Sequence, residues 1–69
     1  MYENLRQAMA AKKVTSKQIS ELLGIAEKTV SNKIHGKTDW SYAEVTKLKQ
    51  FVFPEYDTDW LFSFNENIA

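Results

Sequence analysis

Apolar residues recur at helical spacing along most of the chain, and this pattern predicts four helices joined by short turns. Each group falls on one helix face, because side chains three or four positions apart lie above one another. The groups are Leu5, Ala8 and Met9; Ile19, Leu22 and Leu23; Val30 and Ile34; and Val45, Leu48, Phe51 and Val52. The first helix is expected over roughly residues 3–12, and strand-like alternation is absent apart from an ambiguous stretch at residues 60–64. The chain is therefore expected to be all-helical.

Residues with capping chemistry mark the expected helix ends. Thr15 with Gln18, and Ser41 with Glu44, have the spacing of capping boxes that open the second and fourth helices. Gly24 follows the second helix, at a place where a left-handed residue commonly ends a helix.

The later boundaries are marked by a glycine, a proline and a further cap. Gly36 is expected to end the third helix, and Pro54 disfavours helical backbone at the residue before it, which closes the fourth. Asp57 or Thr58 is expected to cap a short last turn through residues 60–62.

The central segment, TSKQISELLGIAEKTVSNKIHGK at residues 15–37, has the organisation of a helix-turn-helix. Two short helices are separated there by a few residues that include a glycine. Small Ser20 lets the second helix approach the third closely. The face of the third helix that remains exposed carries hydrogen-bonding side chains, namely Glu27, Lys28, Thr29, Ser31, Asn32 and Lys33. A helix of this size fits the major groove of duplex DNA, where its early residues reach base edges.

Charge is distributed unevenly although the formal net charge is zero. Residues 1–38 carry seven basic and three acidic side chains, whereas residues 39–69 carry two basic and six acidic ones. Such asymmetry favours one face toward a polyanion and one face away from it. Chance clustering in a short chain is the alternative interpretation.

Length and composition exclude several classes of protein. Sixty-nine residues allow one domain, 1–69, and too little chain to enclose a substrate. The absence of cysteine excludes disulfides and thiolate metal sites, and one histidine, His35, cannot build a zinc site alone. We therefore expect no enzyme activity, no cofactor, no metal and no small-molecule substrate. The apolar runs are too short to span a membrane and the first residues lack a signal-peptide pattern, so a cytoplasmic protein is expected.

Two segments, LLGIAEKTVSNKIHGKTDWS at residues 22–41 and FPEYDTDWLF at residues 53–62, resemble the phage-repressor and Cro family, also called the Xre-type helix-turn-helix family. The resemblance covers about residues 4–62. It implies a five-helix, lambda-repressor-like domain that binds DNA as a homodimer and controls transcription, usually by repression. The chain departs from many members in having Ala26 before the reading helix instead of Ser or Thr, Lys33 instead of an apolar residue, and a neutral charge.

The reading helix, at about residues 27–35, supplies the candidate DNA contacts. Glu27, Lys28 and Asn32 are expected to face base edges, because Lys favours guanine, Asn favours adenine and Glu accepts from cytosine. Phosphate or mixed contacts are expected from Ser16, Lys17, Thr29, Ser31, Lys33, His35, Lys37 and Thr38. Alternative roles remain for some of these: a solvated face for Lys28 and Asn32, and an electrostatic effect on the helix N-terminus for Glu27. His35 is alternatively a plain helix-ending residue.

Aromatic residues crowd the C-terminal end of the chain. Phe51, Phe53, Tyr56, Trp60, Phe62 and Phe64 lie within fourteen residues. One interpretation is a two-fold dimer interface within residues 53–69, formed by Trp60, Phe62 and Phe64. The other is that these rings complete the core of a single protomer. Trp40 and Tyr42 are interpreted as packing residues.

The function expected from these features is sequence-specific binding of double-stranded DNA, with a palindromic operator read by a homodimer. An antitoxin or anti-repressor adaptor is the alternative, in which the same fold binds a second protein through its aromatic end. A purely protein-binding helical module is a third interpretation. Salt-dependent affinity for duplex DNA separates the first two from the third.

Overall fold

The computed structural model describes residues 1–64, which form five helices and contain no strand. The helices are α1 (Glu3–Lys12), α2 (Ser16–Leu23), α3 (Glu27–Ile34), α4 (Tyr42–Phe51) and α5 (Thr58–Leu61). The prediction of an all-helical, five-helix domain is confirmed, and α1 has the predicted bounds. None of these helices is long and apolar enough to cross a lipid bilayer.

Side-chain caps begin α2, α4 and α5. Thr15 accepts a hydrogen bond from the Gln18 backbone N–H, and the Gln18 side chain accepts one from the Thr15 N–H. Ser41 and Glu44 form the same reciprocal pair at the start of α4. Asp57 rather than Thr58 caps α5, by accepting from the Trp60 N–H at 3.1 Å. Both predicted capping boxes are therefore confirmed.

The core takes a fully buried side chain from every helix. These side chains are Leu5, Ile19, Val30, Leu48 and Leu61, together with Phe53 from the segment between α4 and α5. Burial of one such side chain contributes about 1.5–3 kcal/mol to folding. Val30 and Ile34 anchor α3 against α1 and α2, which fixes the side of α3 that remains outside the core.

Two aromatic predictions on α4 are wrong. Phe51 is 64% exposed. Successive residues of a helix are about 100° apart, so Phe51 lies outside the face that carries the buried Leu48 and the half-buried Val52. Phe53 is buried in its place: its N–H bonds the Leu48 carbonyl, and the chain turns inward after the helix. Tyr42, expected to pack, is 85% exposed at the first turn of α4.

An aromatic cluster, defined by Tyr2, Trp40, Phe62 and Phe64, joins both ends of the described chain to the end of α3. The Tyr2 ring meets the other three edge to face, with centroid distances of 6.5, 6.4 and 5.1 Å to Trp40, Phe62 and Phe64. The Tyr2 N–H also donates to the Ile34 carbonyl at 2.8 Å. The last turn of α3 is therefore held from outside the helix-turn-helix as well as from within it.

Candidate nucleic-acid interface

The turn between α2 and α3 is set by one glycine and one small residue. Gly24 has a φ of +69°, and the N–H groups of Gly24 and Ile25 both donate to the Ser20 carbonyl. Ser20 is buried, and its hydroxyl donates to the Lys17 carbonyl at 2.7 Å, so its polar atom is satisfied inside α2. A small side chain at this position lets α2 and α3 pack closely. The two helices and their turn form the predicted helix-turn-helix.

The outer face of α3 carries the residues predicted to read bases. Glu27 and Lys28 are exposed, and Asn32 is half-buried one turn after Lys28. Residues four apart on a helix lie on one face, so the ammonium of Lys28 and the amide of Asn32 are neighbours in position. Ala26 precedes the helix without a side-chain cap, as its residue type predicts.

A cleft of about 170 Å³ lies beside this face, between α1, the start of α2 and the end of α3. It brings together Ser16, Ser31 and His35, three of the predicted phosphate contacts, with Arg6 of α1. The His35 Nδ1 lies 2.7 Å from the Ser31 carbonyl, which can only accept, so Nδ1 carries a proton in this arrangement. The guanidinium, two hydroxyls and the imidazole are groups that can donate to an anion, and they lie beside the apolar side chains of Met9 and Ile34. The Arg6 guanidinium also lies 3.6 Å from the Glu3 carboxylate.

The segment after α3 places further polar groups near the helix end. The Lys37 N–H donates to the Asn32 carbonyl at 2.9 Å, and the Gly36 N–H donates to the Lys33 carbonyl at 3.2 Å. Lys37 and Thr38 are exposed there. These bonds extend the helix end by one turn and hold the segment beside it.

The lysines predicted to contact DNA differ in whether their ammonium groups already have partners within the protein. Lys17, Lys28 and Lys37 are exposed and form no ion pair within residues 1–64. Lys33 is different, because its ammonium lies 3.1 Å from the Glu44 carboxylate and donates to the Asp39 carbonyl at 2.8 Å. The sequence pattern alone did not link residue 33 to residue 44.

The basic half of the sequence is not uniformly available. Lys12 forms an ion pair with Glu55 at 3.0 Å on the side where α1 meets the segment after α4. Hydrogen bonds from the Glu55 backbone N–H and from Lys12 lower the pKa of the Glu55 carboxyl. This pair joins the basic and acidic halves of the sequence, and it uses one of the seven cations counted in residues 1–38.

The residues predicted to form a dimer interface lie in two different environments. Phe62 and Phe64 belong to the aromatic cluster, and Phe62 is half-buried there against Trp40 at 5.8 Å. Trp60 stacks on Tyr56 at a centroid distance of 5.5 Å and is 39% exposed. Phe64 remains 45% exposed. The part of the predicted end at residues 65–69 lies outside the described residues.

Comparison with known proteins assigns the family. The sequence-family model of the Cro/C1-type helix-turn-helix DNA-binding domain matches residues 4–50, which cover nearly all of α1 to α4. No curated protein and no solved structure matches the chain significantly. The match spans well over half of the chain, and it includes both helices and the turn of the motif described above. The chain therefore belongs to the Cro/C1-type helix-turn-helix family, a non-enzymatic family that binds DNA and regulates transcription.

Proposed function

We propose that the protein is a phage-type transcriptional repressor that binds a palindromic DNA operator as a homodimer, with α3 in the major groove. One observation carries this proposal: Val30 and Ile34 anchor α3 in the core, while Lys28 and Asn32 lie together on its outer side. A rigidly anchored helix is needed to read bases, because base contacts require fixed side-chain positions. The site of action is the cytoplasm of a bacterial cell or of a phage-infected host.

Direct readout is assigned to Glu27, Lys28 and Asn32. A lysine ammonium donates to guanine O6 or N7, and an asparagine amide pairs with adenine N6 and N7. Glu27 accepts from cytosine N4, and its carboxylate also favours the N-terminus of α3, where no side chain caps the first turn. The absence of a cap leaves the helix start dependent on such electrostatic help.

Phosphate contacts surround this reading face. They are assigned to the predicted set apart from Lys33, whose ammonium is paired with Glu44. The set is Ser16, Lys17, Thr29, Ser31, His35, Lys37 and Thr38. The cleft lined by Arg6, Ser16, Ser31 and His35 supports the assignment, because it joins the first residue of α2 to the end of α3. Such contacts fix the register of the protein on DNA without specifying sequence.

Dimerisation is assigned to the C-terminal end, through Trp60 and Phe64 with Phe62 behind them. The exposed fractions of Trp60 and Phe64 support a surface that a second copy covers, and a 69-residue chain has a small core of its own. Two-fold symmetry would place the two α3 helices about 34 Å apart, in successive major grooves.

Selection from a random pool of duplex DNA tests the proposal. We expect enrichment of an inverted repeat with half-sites one helical turn apart, and an affinity that falls with salt as counterions are released. Enrichment of a single, unrepeated half-site would retain DNA recognition and contradict the dimer. No enrichment, with no salt-dependent binding at low ionic strength, would contradict DNA recognition and favour a protein partner for the aromatic end.

A further inference from the structure

Lys33 and Glu44 join the last turn of α3 to the first turn of α4. Lys33 Nζ lies 3.1 Å from Glu44 Oε1, and the two side chains are only 13% and 16% exposed. Lys33 Nζ also donates to the Asp39 carbonyl and lies 5.9 Å above the centroid of the Trp40 ring. The ammonium is thus held by an anion, a carbonyl and a π face, all from residues that follow it in the chain.

Glu44 is fixed at the same time by the start of α4. Its carboxylate accepts a hydrogen bond from the Ser41 N–H at 2.8 Å, as part of the capping box. Burial opposes ionisation of this carboxyl, but the hydrogen bonds from Ser41 and Lys33 and the charge of Lys33 outweigh burial and lower its pKa. Lys33 therefore binds a carboxylate that is already oriented by a helix N-terminus.

The helices joined by this pair share α2 as a packing partner, and α3 also packs on α1. The ion pair lies across the ends of the segment 35–41, which carries His35, Lys37 and Thr38. Its second partner, the Asp39 carbonyl, lies inside that segment. The Lys33 side chain consequently ties down the middle and the far end of a segment that the proposed function places against the DNA backbone.

We propose that Lys33 is a positioning residue, which acts through Glu44 and the Asp39 carbonyl to hold the segment 35–41 for DNA binding and does not itself contact phosphate. This inference rests on the proposed function. Its cause is geometric: an ammonium with three partners inside the protein would have to give them up to reach a phosphate, and its partner carboxylate would then be left half-paired in a nearly buried place. Lys37, by contrast, is exposed and has no such partner within the described residues.

Glu44→Gln separates a positioning role from a phosphate contact by the sign of its effect. A positioning role predicts weaker operator binding, by about 2- to 30-fold, because the segment 35–41 loses a fixed anchor. A phosphate contact predicts tighter binding, because the change removes an anion and releases a cation toward DNA. Glu21→Gln is the matched control, since Glu21 is exposed on α2 and forms no ion pair within residues 1–64. We expect no loss of affinity from the control.

Lys33→Met gives a second, independent readout, because it keeps most of the side-chain stem and removes the charge. A positioning role predicts that Lys33→Met and Glu44→Gln both weaken binding and change the slope of log affinity against log salt alike, whereas loss of a phosphate contact lowers that slope by about one for Lys33→Met alone. Lys37→Ala supplies the reference for a slope that falls by about one. Circular dichroism at the assay temperature shows whether each variant is folded.

The double variant Lys33→Met with Glu44→Gln completes a double-mutant cycle, which isolates the interaction between the two side chains from their separate effects on DNA binding. Positioning predicts that the second change costs little once the first is made, since both remove one interaction. Additive effects of opposite sign would overturn the inference and leave the proposed function intact. A slope reduced by about one for Lys33→Met but unchanged for Glu44→Gln would also overturn the inference and leave the proposed function intact. Absence of salt-dependent DNA binding by the unmodified protein would overturn both the inference and the proposed function.

Discussion

The ring of Phe64 lies against the backbone of Gly36, directly after the end of α3. Gly36 has a φ of +83°. A Cβ added there would lie 2.7 Å from Phe64 Cζ, which is closer than van der Waals contact allows. Phe64 also meets Tyr2 at 5.1 Å between ring centroids. The absence of a side chain at residue 36 therefore allows Phe64 to reach the end of α3.

Gly36→Ala is expected to destabilise the fold more than Gly24→Ala does. Both residues have positive φ, which costs an alanine about 1–2 kcal/mol, but nothing lies within 4 Å of a Cβ at Gly24. The excess at Gly36 comes from displacing the Phe64 ring. Urea unfolding of the two variants measures the difference, and Phe64→Ala should abolish it. Equal losses for the two glycine variants in the unmodified background would contradict the contact.

Ala26→Ser is expected to stabilise the protein by about 0.5–1 kcal/mol. Ala26 has extended backbone angles, φ −70° and ψ 150°, and contributes no side-chain cap to α3. A serine hydroxyl there accepts from an N–H of the first turn, as Thr15 and Ser41 do at the other helices. Thermal unfolding checks the gain. Ala11→Ser, on the exposed side of α1, is the control; it should lose a few tenths of a kcal/mol, since serine is the poorer helix former.

The stability that Glu44 contributes is expected to disappear in acid. Because the pKa of Glu44 in the folded protein lies below its ordinary value of 4.5, its contribution is complete above that value and is lost as the pH falls through the lower, folded pKa. The free energy of unfolding should therefore differ between the parent and Glu44→Gln at neutral pH, and the difference should shrink as the pH falls below 4.5 and through the folded pKa. Glu55→Gln is the comparison, because the Lys12–Glu55 pair is more exposed and better screened by solvent. A difference for Glu44→Gln that persists unchanged into acid would contradict this account of the carboxylate.

Trp60→Ala is expected to weaken self-association, and Phe51→Ala is not. The comparison is informative because Phe51 is the more exposed of the two rings, at 64% against 39%, yet lies on α4 outside the proposed interface. Sedimentation velocity over a range of concentrations measures the dissociation constant of the dimer. A dimer that survives Trp60→Ala and dissociates with Phe51→Ala would move the interface to α4.

Local chemistry made much of the fold predictable. The two capping boxes, Thr15–Gln18 and Ser41–Glu44, and the left-handed Gly24 depend on residues within about one turn of each other. The sequence pattern therefore contains the information needed to predict them. Contacts between residues far apart in the sequence were harder to predict. Phe51 and Phe53 are both aromatic and two positions apart, and only the inward turn of the chain after α4 decides that Phe53 is buried.

The same contrast between local features and distant contacts applies to the candidate site. The exposed positions of Glu27 and Lys28 follow from the helical register of Val30 and Ile34. The ion pair of Lys33 does not follow from helical register, because its partner Glu44 is eleven positions away and belongs to another helix. Charge counting treats every lysine alike, whereas the fold separates Lys33 from the exposed lysines.

The claim that α3 reads bases is tested most directly by measuring how alanine variants of α3 bind the selected operator and its single-base-pair changes. Affinities of the parent, Asn32→Ala, Lys28→Ala and Lys47→Ala would be measured on the operator and on each single-base-pair change within one half-site. Asn32→Ala and Lys28→Ala should each cost about 1–3 kcal/mol on the preferred site and become indifferent to the base pair at one position. Lys47→Ala, an exposed change on α4, should leave the discrimination profile as it was. If both α3 variants keep the affinity and the full base-pair discrimination of the parent, α3 is not the reading helix and the account is wrong.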